Sequence, residues 1–137
     1  MIFGIGTDIV SYHRINALHT RYGERFAHRL LTGAELEEYA ANHDQPRYLM
    51  KRFAAKEAFA KAFGTGLRGE VSLTRIGITH DDLGKPSLTF DATLADCVAQ
   101  AGVTRHHLSI SDEKDVAVAF VVLECHGLII PDTPIGG

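Results

Sequence analysis

Cysteine is scarce, charge of either sign is muted and long apolar runs are missing, and each shortage removes a class of protein. Two cysteines, Cys97 and Cys125, are too few for a secreted disulfide framework and fit reduced thiols in the cytoplasm. The longest strongly apolar run, Val116 to Leu123, has eight residues, well short of the ~20 that a membrane helix needs. Asp8 stands near the start and no basic patch precedes an apolar stretch, so a signal peptide is not expected. A net charge of −3 argues against a general nucleic-acid binder. There is no His-Glu-x-x-His and no Cys-x-x-Cys to suggest zinc, and no Gly-x-Ser-x-Gly elbow of a serine hydrolase. What remains is the ordinary balance of a globular chain: 137 residues, 45% hydrophobic and 23% charged. One domain of this size buries roughly two-thirds of its unfolded surface and needs no staple.

Patterning predicts an α+β fold with helices packed on a mostly antiparallel sheet. Ile2 to Val10 reads as a strand, and Ser11 is a cap for a helical pattern carried by Ile15, Tyr22, Phe26 and Leu30. Gly23 weakens that pattern by about 1 kcal/mol, which suggests two helices with a break. Thr32-Gly-Ala-Glu35 is a capping box opening a short helix to about Ala41. A long helix is predicted from Pro46 to Phe63, with Gly64 as its C-terminal cap and Leu49, Phe53, Ala60 and Phe63 on one face. Val71 to His80 and Ser87 to Phe90 read as strands around an Asp81–Gly84 turn, and Ala92 to Ala101 as a helix. Leu108 to Ser111 and Val116 to Leu123 form a hairpin pattern, the last strand apolar on both faces and therefore central. The tail with Pro131 and Pro134 is expected to be loosely held.

Few residues are placed where chemistry would need them. Gly64-Thr-Gly66-Leu-Arg-Gly69 has dinucleotide-fingerprint spacing but follows a helix, so the context fails. A helix cap with a mobile turn is the plain reading; a loop that approaches phosphate is the other, with Lys61 and Arg68 flanking the glycines. Asp8 ends an apolar strand and Glu57 borders an apolar helical stripe. Alone, each is ordinarily a cap or salt-bridge residue. Together they would suit magnesium, which takes one or two carboxylates and keeps waters. Lys56 falls inside the apolar arc, an awkward place for an ammonium; a snorkelling side chain is the plain reading and a specific role the other. His106 and His107 should point to opposite faces of a strand, one of them inward. Arg14, Arg21, Arg25 and Arg29 lie within about 80° of one another on a continuous helix, opposed only by Glu24. Such a stripe is either a solvated face or a dock for an acidic partner.

Two stretches, Gly4-Ile-Gly-Thr-Asp8-Ile-Val and Arg52-Phe-Ala-Ala-Lys56-Glu57-Ala-Phe-Ala-Lys61-Ala-Phe-Gly-Thr-Gly66, resemble the paired signatures of 4′-phosphopantetheinyl transferases. Leu83-Gly-Lys85-Pro86 and His107-Leu-Ser-Ile-Ser-Asp112-Glu resemble the short single-domain branch that modifies acyl carrier protein. The likeness runs from Ile2 to Cys125, so 1–125 is read as the transferase domain and 126–137 as a C-terminal extension without a role. The resemblance implies transfer of the phosphopantetheine arm of coenzyme A to a carrier serine in fatty acid biosynthesis, releasing adenosine 3′,5′-bisphosphate. It implies Mg2+ on Asp8 and Glu57, with Asp8, Glu57 and Lys61 catalytic. Arg52, Lys61, Gly64, Lys85 and His107 are the candidates to hold coenzyme A, and Arg14, Arg21 and Arg25 to meet the carrier. Small members of the family are homotrimers with the site between subunits, and a cytoplasmic homotrimer is expected. Many relatives have histidine where Asp112 stands, so no role is carried to that position. The competing readings are a non-catalytic module that binds coenzyme A or an acidic protein, and a magnesium-dependent phosphodiesterase.

Overall fold

One helix, α4 (Gln45–Phe63), organises the molecule, and its composition explains why. Asp44 caps it by accepting from the Arg47 amide, Pro46 stands in its first turn, and Gly64 ends it with φ of 91°. Between those ends lie five alanines, so neighbours can approach from several sides. The structure, a computed structural model, describes residues 1–127. In it α4 is buried nearly all round, from Tyr48 and Leu49 to Ala60 and Ala62. The single stripe expected from Leu49, Phe53, Ala60 and Phe63 is therefore too narrow: Phe53 and Phe63 are only half-buried, and Met50, Ala54, Ala55 and Ala58 are fully covered.

The chain runs β1 (Ile2–Ser11), α1 (Tyr12–Tyr22), α2 (Glu24–Leu30), α3 (Gly33–Ala40) and α4. After a 3-10 turn at Leu73–Arg75 come β2 (Ile76–His80), β3 (Pro86–Phe90), α5 (Ala92–Gln100), β4 (Val103–Asp112) and β5 (Val116–Cys125). The expected helices are present, including the break at Gly23 and the capping box at Thr32. Two strands differ from expectation. The first half of the stretch from Val71 folds as loop and 3-10 turn, leaving only Ile76–His80 as strand, and β4 begins five residues before Leu108. The extension, with Pro131 and Pro134, lies outside the described residues from position 128 onward.

Both sheets are antiparallel: β1-β5-β4, with β5 central as its composition predicted, and the β2-β3 hairpin. In the larger sheet Ala117, Ala119, Val121 and Leu123 of β5 are fully buried on the inner face, the side on which α4 lies. The approach of β1 to α4 needs glycine. A Cβ on Gly4 would overlap the carbonyl of Ala62, and one on Gly6 the carbonyl of Ala58. The opposite face of the sheet carries exposed Ile5, Ile9, Val118 and Phe120, with Ile9 68% accessible. Cross-strand register sets Ile9 beside Val118, Thr7 beside Phe120 and Ile5 beside Val122.

Candidate active site

The close packing of β1 on α4 sets the candidate site. Asp8 follows the two contact glycines on the same face of β1, while Glu57 and Lys61 stand one turn apart on α4. Lys61 Nζ donates to Asp8 Oδ1 at 2.9 Å and to the Thr7 carbonyl at 3.1 Å. Burial raises the Glu57 pKa above the usual carboxylate value and the charge of Asp8 raises it further; Lys61 and Arg14 oppose the shift. Asp8, Glu57 and Lys61 are thus one electrostatic unit. Two interacting carboxylates with an exposed ammonium beside them suit a hard cation that retains waters and takes further oxygen ligands from a phosphate. Gly64 caps the helix one turn beyond Lys61, its amide shared between the Ala60 and Lys61 carbonyls at 3.1 Å.

Other expected residues sit elsewhere. Arg52 is 5% exposed and stacks on Tyr48 at 3.8 Å. Its Nη2 donates to Glu38 at 3.0 Å, and its Nε lies 3.4 Å from Glu35. It also lines a recess of about 430 Å³ with His43, Arg47 and Lys51, a cationic hollow interrupted by Asp44. Lys85 is exposed in the β2–β3 turn, where its amide donates to Asp81 Oδ1. His107 is on the outer face of β4, its Nε2 2.6 Å from Glu124 Oε2. None of these three bonds to Asp8, Glu57 or Lys61 among the described residues. His106 is the inward histidine: it meets Phe90 edge-on at 5.3 Å, and burial lowers its pKa. Asp112 ties the β4–β5 turn to α4, accepting from Arg47 Nη1 at 2.8 Å.

The arginines do not form one helical face, because α1 stops at Tyr22 and Gly23 redirects the chain. Arg14 lies over the Phe53 ring, 5.7 Å from its centroid, and is near enough to Glu57 to act on its pKa. It belongs to the margin of the carboxylate site. Arg21 packs over Tyr22, while Arg25 and Arg29 border a groove of about 380 Å³ floored by Leu18, Tyr22, Phe26 and Leu73. Lys56 does not snorkel to solvent. It is fully buried, and its Nζ donates to Glu35 Oε1 at 2.6 Å, the Leu30 carbonyl at 2.7 Å and the Leu73 carbonyl at 3.0 Å. Burial pushes the ammonium down to about 8, against the upward pull of Glu35. The capping-box signal located Glu35 correctly, but its second partnership lies 21 residues away and leaves no local trace.

The fold is α+β, with a glycine-docked strand and helix that bring a carboxylate pair and a lysine together. The chain belongs to the 4′-phosphopantetheinyl transferase superfamily, whose model matches residues 4–121. It is 60% identical over 124 residues to a holo-[acyl-carrier-protein] synthase of Nitrosospira multiformis, spanning 90% of this chain and 99% of that protein. The crystal structure of the Neisseria meningitidis synthase superposes with a TM-score of 0.88 at 53% identity, covering 90% of this chain and 99% of that one. A Bacillus anthracis holo-(acyl-carrier-protein) synthase in complex with CoA (3′,5′-ADP) gives 0.77 at 38% identity, covering 91% and 98%.

Proposed function

We propose that this chain transfers the 4′-phosphopantetheine arm of coenzyme A to a serine of acyl carrier protein and releases adenosine 3′,5′-bisphosphate. The observation that carries the reading is the Asp8–Glu57–Lys61 unit, held together where the two family signatures meet. Asp8 and Glu57 would hold Mg2+, which when bound neutralises pyrophosphate charge and stabilises the leaving oxygen. Lys61, 52% exposed and already hydrogen-bonded at the site, is available to a phosphoryl oxygen of the same ligand. Gly64 lets the following backbone come close to an anion. The guanidinium of Arg14 adds positive potential beside Glu57. A water near the carboxylates is the better proton acceptor for the serine, because a carboxylate on a metal is a weak base.

Arg52, Lys85 and His107 are assigned to coenzyme A from sites that bond to no residue of the carboxylate unit, which favours a ligand bridging two subunits. The exposed apolar rows of the outer sheet face support a homotrimer, since Ile5, Ile9, Val118 and Phe120 otherwise stand in water beside His107 on β4. Arg25, which lines the apolar groove, and Arg21, which packs over the Tyr22 ring of that groove, suit an acidic helix of the carrier. A cytoplasmic setting accords with free Cys97 and Cys125, and no helix among the described residues is long and apolar enough to cross a membrane. The test is incubation with coenzyme A, magnesium and apo carrier protein. A mass gain of one phosphopantetheine on the carrier is expected; binding without a gain indicates a module, and cleavage without carrier indicates a diesterase.

A further inference from the structure

Lys56 adjoins Glu57 in sequence but points about 100° away from it around α4, toward Leu30, Glu35 and Leu73, and the transfer chemistry makes no use of it. An ammonium with no solvent contact is costly unless every donor is matched. Here each of its three protons has an acceptor: Glu35 Oε1, the Leu30 carbonyl and the Leu73 carbonyl. Those acceptors belong to three separate elements. Leu30 ends α2, Glu35 lies in the first turn of α3, and Leu73 opens the 3-10 turn before β2. Glu35 extends the reach of the contact: its Oε1 also accepts from the Thr32 amide at 2.9 Å and its Oε2 from the Ile78 amide at 3.0 Å. One of the tethered residues lines the groove and another adjoins a residue that does. Leu73 lines it directly, and Leu30 directly follows Arg29, which lines its other wall. The gap between α2 and the Leu73 turn is therefore spanned from beneath by one side chain.

We propose that Lys56 is a positioning residue for carrier recognition: it fixes the separation of α2 and the Leu73 turn, and so the width of the groove beside Arg25 and Arg29. This rests on the reading of that groove as the carrier's dock. A purely structural lysine, when lost, lowers the amount of folded enzyme and so reduces kcat with the Michaelis constants unchanged. A positioning lysine changes the Michaelis constant of one substrate. The variant is Lys56→Met, which keeps chain length and leaves Glu35 with Arg52, Thr32 and Ile78 as partners. In the full-length protein, KM for apo carrier should rise roughly tenfold, the scale of one or two lost charge-assisted hydrogen bonds. KM for coenzyme A and kcat at saturating carrier should stay within about twofold in the same terms. Lys56→Gln keeps a donor too short to span both carbonyls and should move carrier KM the same way by less. It serves if the methionine variant does not fold. An unchanged carrier KM in a folded variant, equal changes for both substrates, or failure of both variants to fold overturns the proposal. Arg21→Glu/Arg25→Glu separates the two readings: if it too leaves carrier affinity intact, the dock itself is misplaced; if it weakens the carrier while Lys56→Met does not, only the role of Lys56 falls.

Discussion

At the scale of single residues, position in the electrostatic field matters more than residue type. Asp8 and Glu57 are ordinary carboxylates in the sequence; folding sets them close enough that the charge of one raises the pKa of the other. A cation relieves that repulsion, so Asp8→Asn and Glu57→Gln should each cost on the order of 2–4 kcal/mol of transition-state stabilisation. Their thermal melts should stay close to wild type, and Mn2+ affinity measured directly should fall with the activity. Near-normal turnover of either variant at low magnesium would contradict the assignment. His106 illustrates the opposite sign. Its folded pKa is depressed by burial, so its contribution to stability is fully present above the ordinary value of 6.5 and is lost as pH falls through the folded value. His106→Leu should flatten the acid limb of the stability profile in denaturant titrations from pH 5 to 8. An unaltered limb would assign that loss to other groups.

At the scale of elements, the contact between β1 and α4 is the determining one. It depends on two glycines facing two carbonyls, and the pairing of Asp8 with Glu57 is its by-product: one follows the glycines on the strand, the other precedes Ala58 on the helix. The α1–α2 pair shows how one residue redirects a surface. Gly23, at φ of 54°, splits a stripe of arginines into Arg14, beside Glu57, and Arg25 with Arg29, beside the apolar groove. A triple reversal including Arg14 would mix the two roles, so the informative variant is Arg21→Glu/Arg25→Glu. Exposed pairs are worth roughly 0.2–1 kcal/mol each, and charge reversal should compound them. Carrier association should slow and wild-type affinity should fall with added salt, while coenzyme A affinity stays level. If coenzyme A binding collapses and carrier binding survives in a salt series, these arginines serve the phosphates instead.

At the scale of the whole molecule, the outer sheet face has no cover among the described residues. A monomer would hold Ile9, Val118 and Phe120 in water in adjacent rows, and a symmetric assembly would bury them. Phe120→Glu should shift the protein toward monomer in sedimentation and reduce activity most at high dilution. Mixed chains test whether the site is shared. Glu57→Gln and His107→Ala subunits, each inactive alone, should regain activity when combined if the residues act from different subunits. A monomeric wild-type protein with full activity would remove the shared site.

By itself the sequence determined the local features: the caps at Ser11, Thr32 and Gly64, the break at Gly23, the central position of β5 and the two motifs that mark the family. These depend on neighbours a few residues apart, where periodicity and backbone preference speak directly. Only the tertiary structure decided that the residues after Val71 form a 3-10 turn, that Lys56 is sealed among Glu35 and two carbonyls, and that Arg14 joins the carboxylate site. Each of those outcomes rests on partners 17 or more residues away. A buried ammonium and an exposed one are spelled with the same residue. What separates them is whether distant chain brings enough oxygen to replace water, and that is settled by packing.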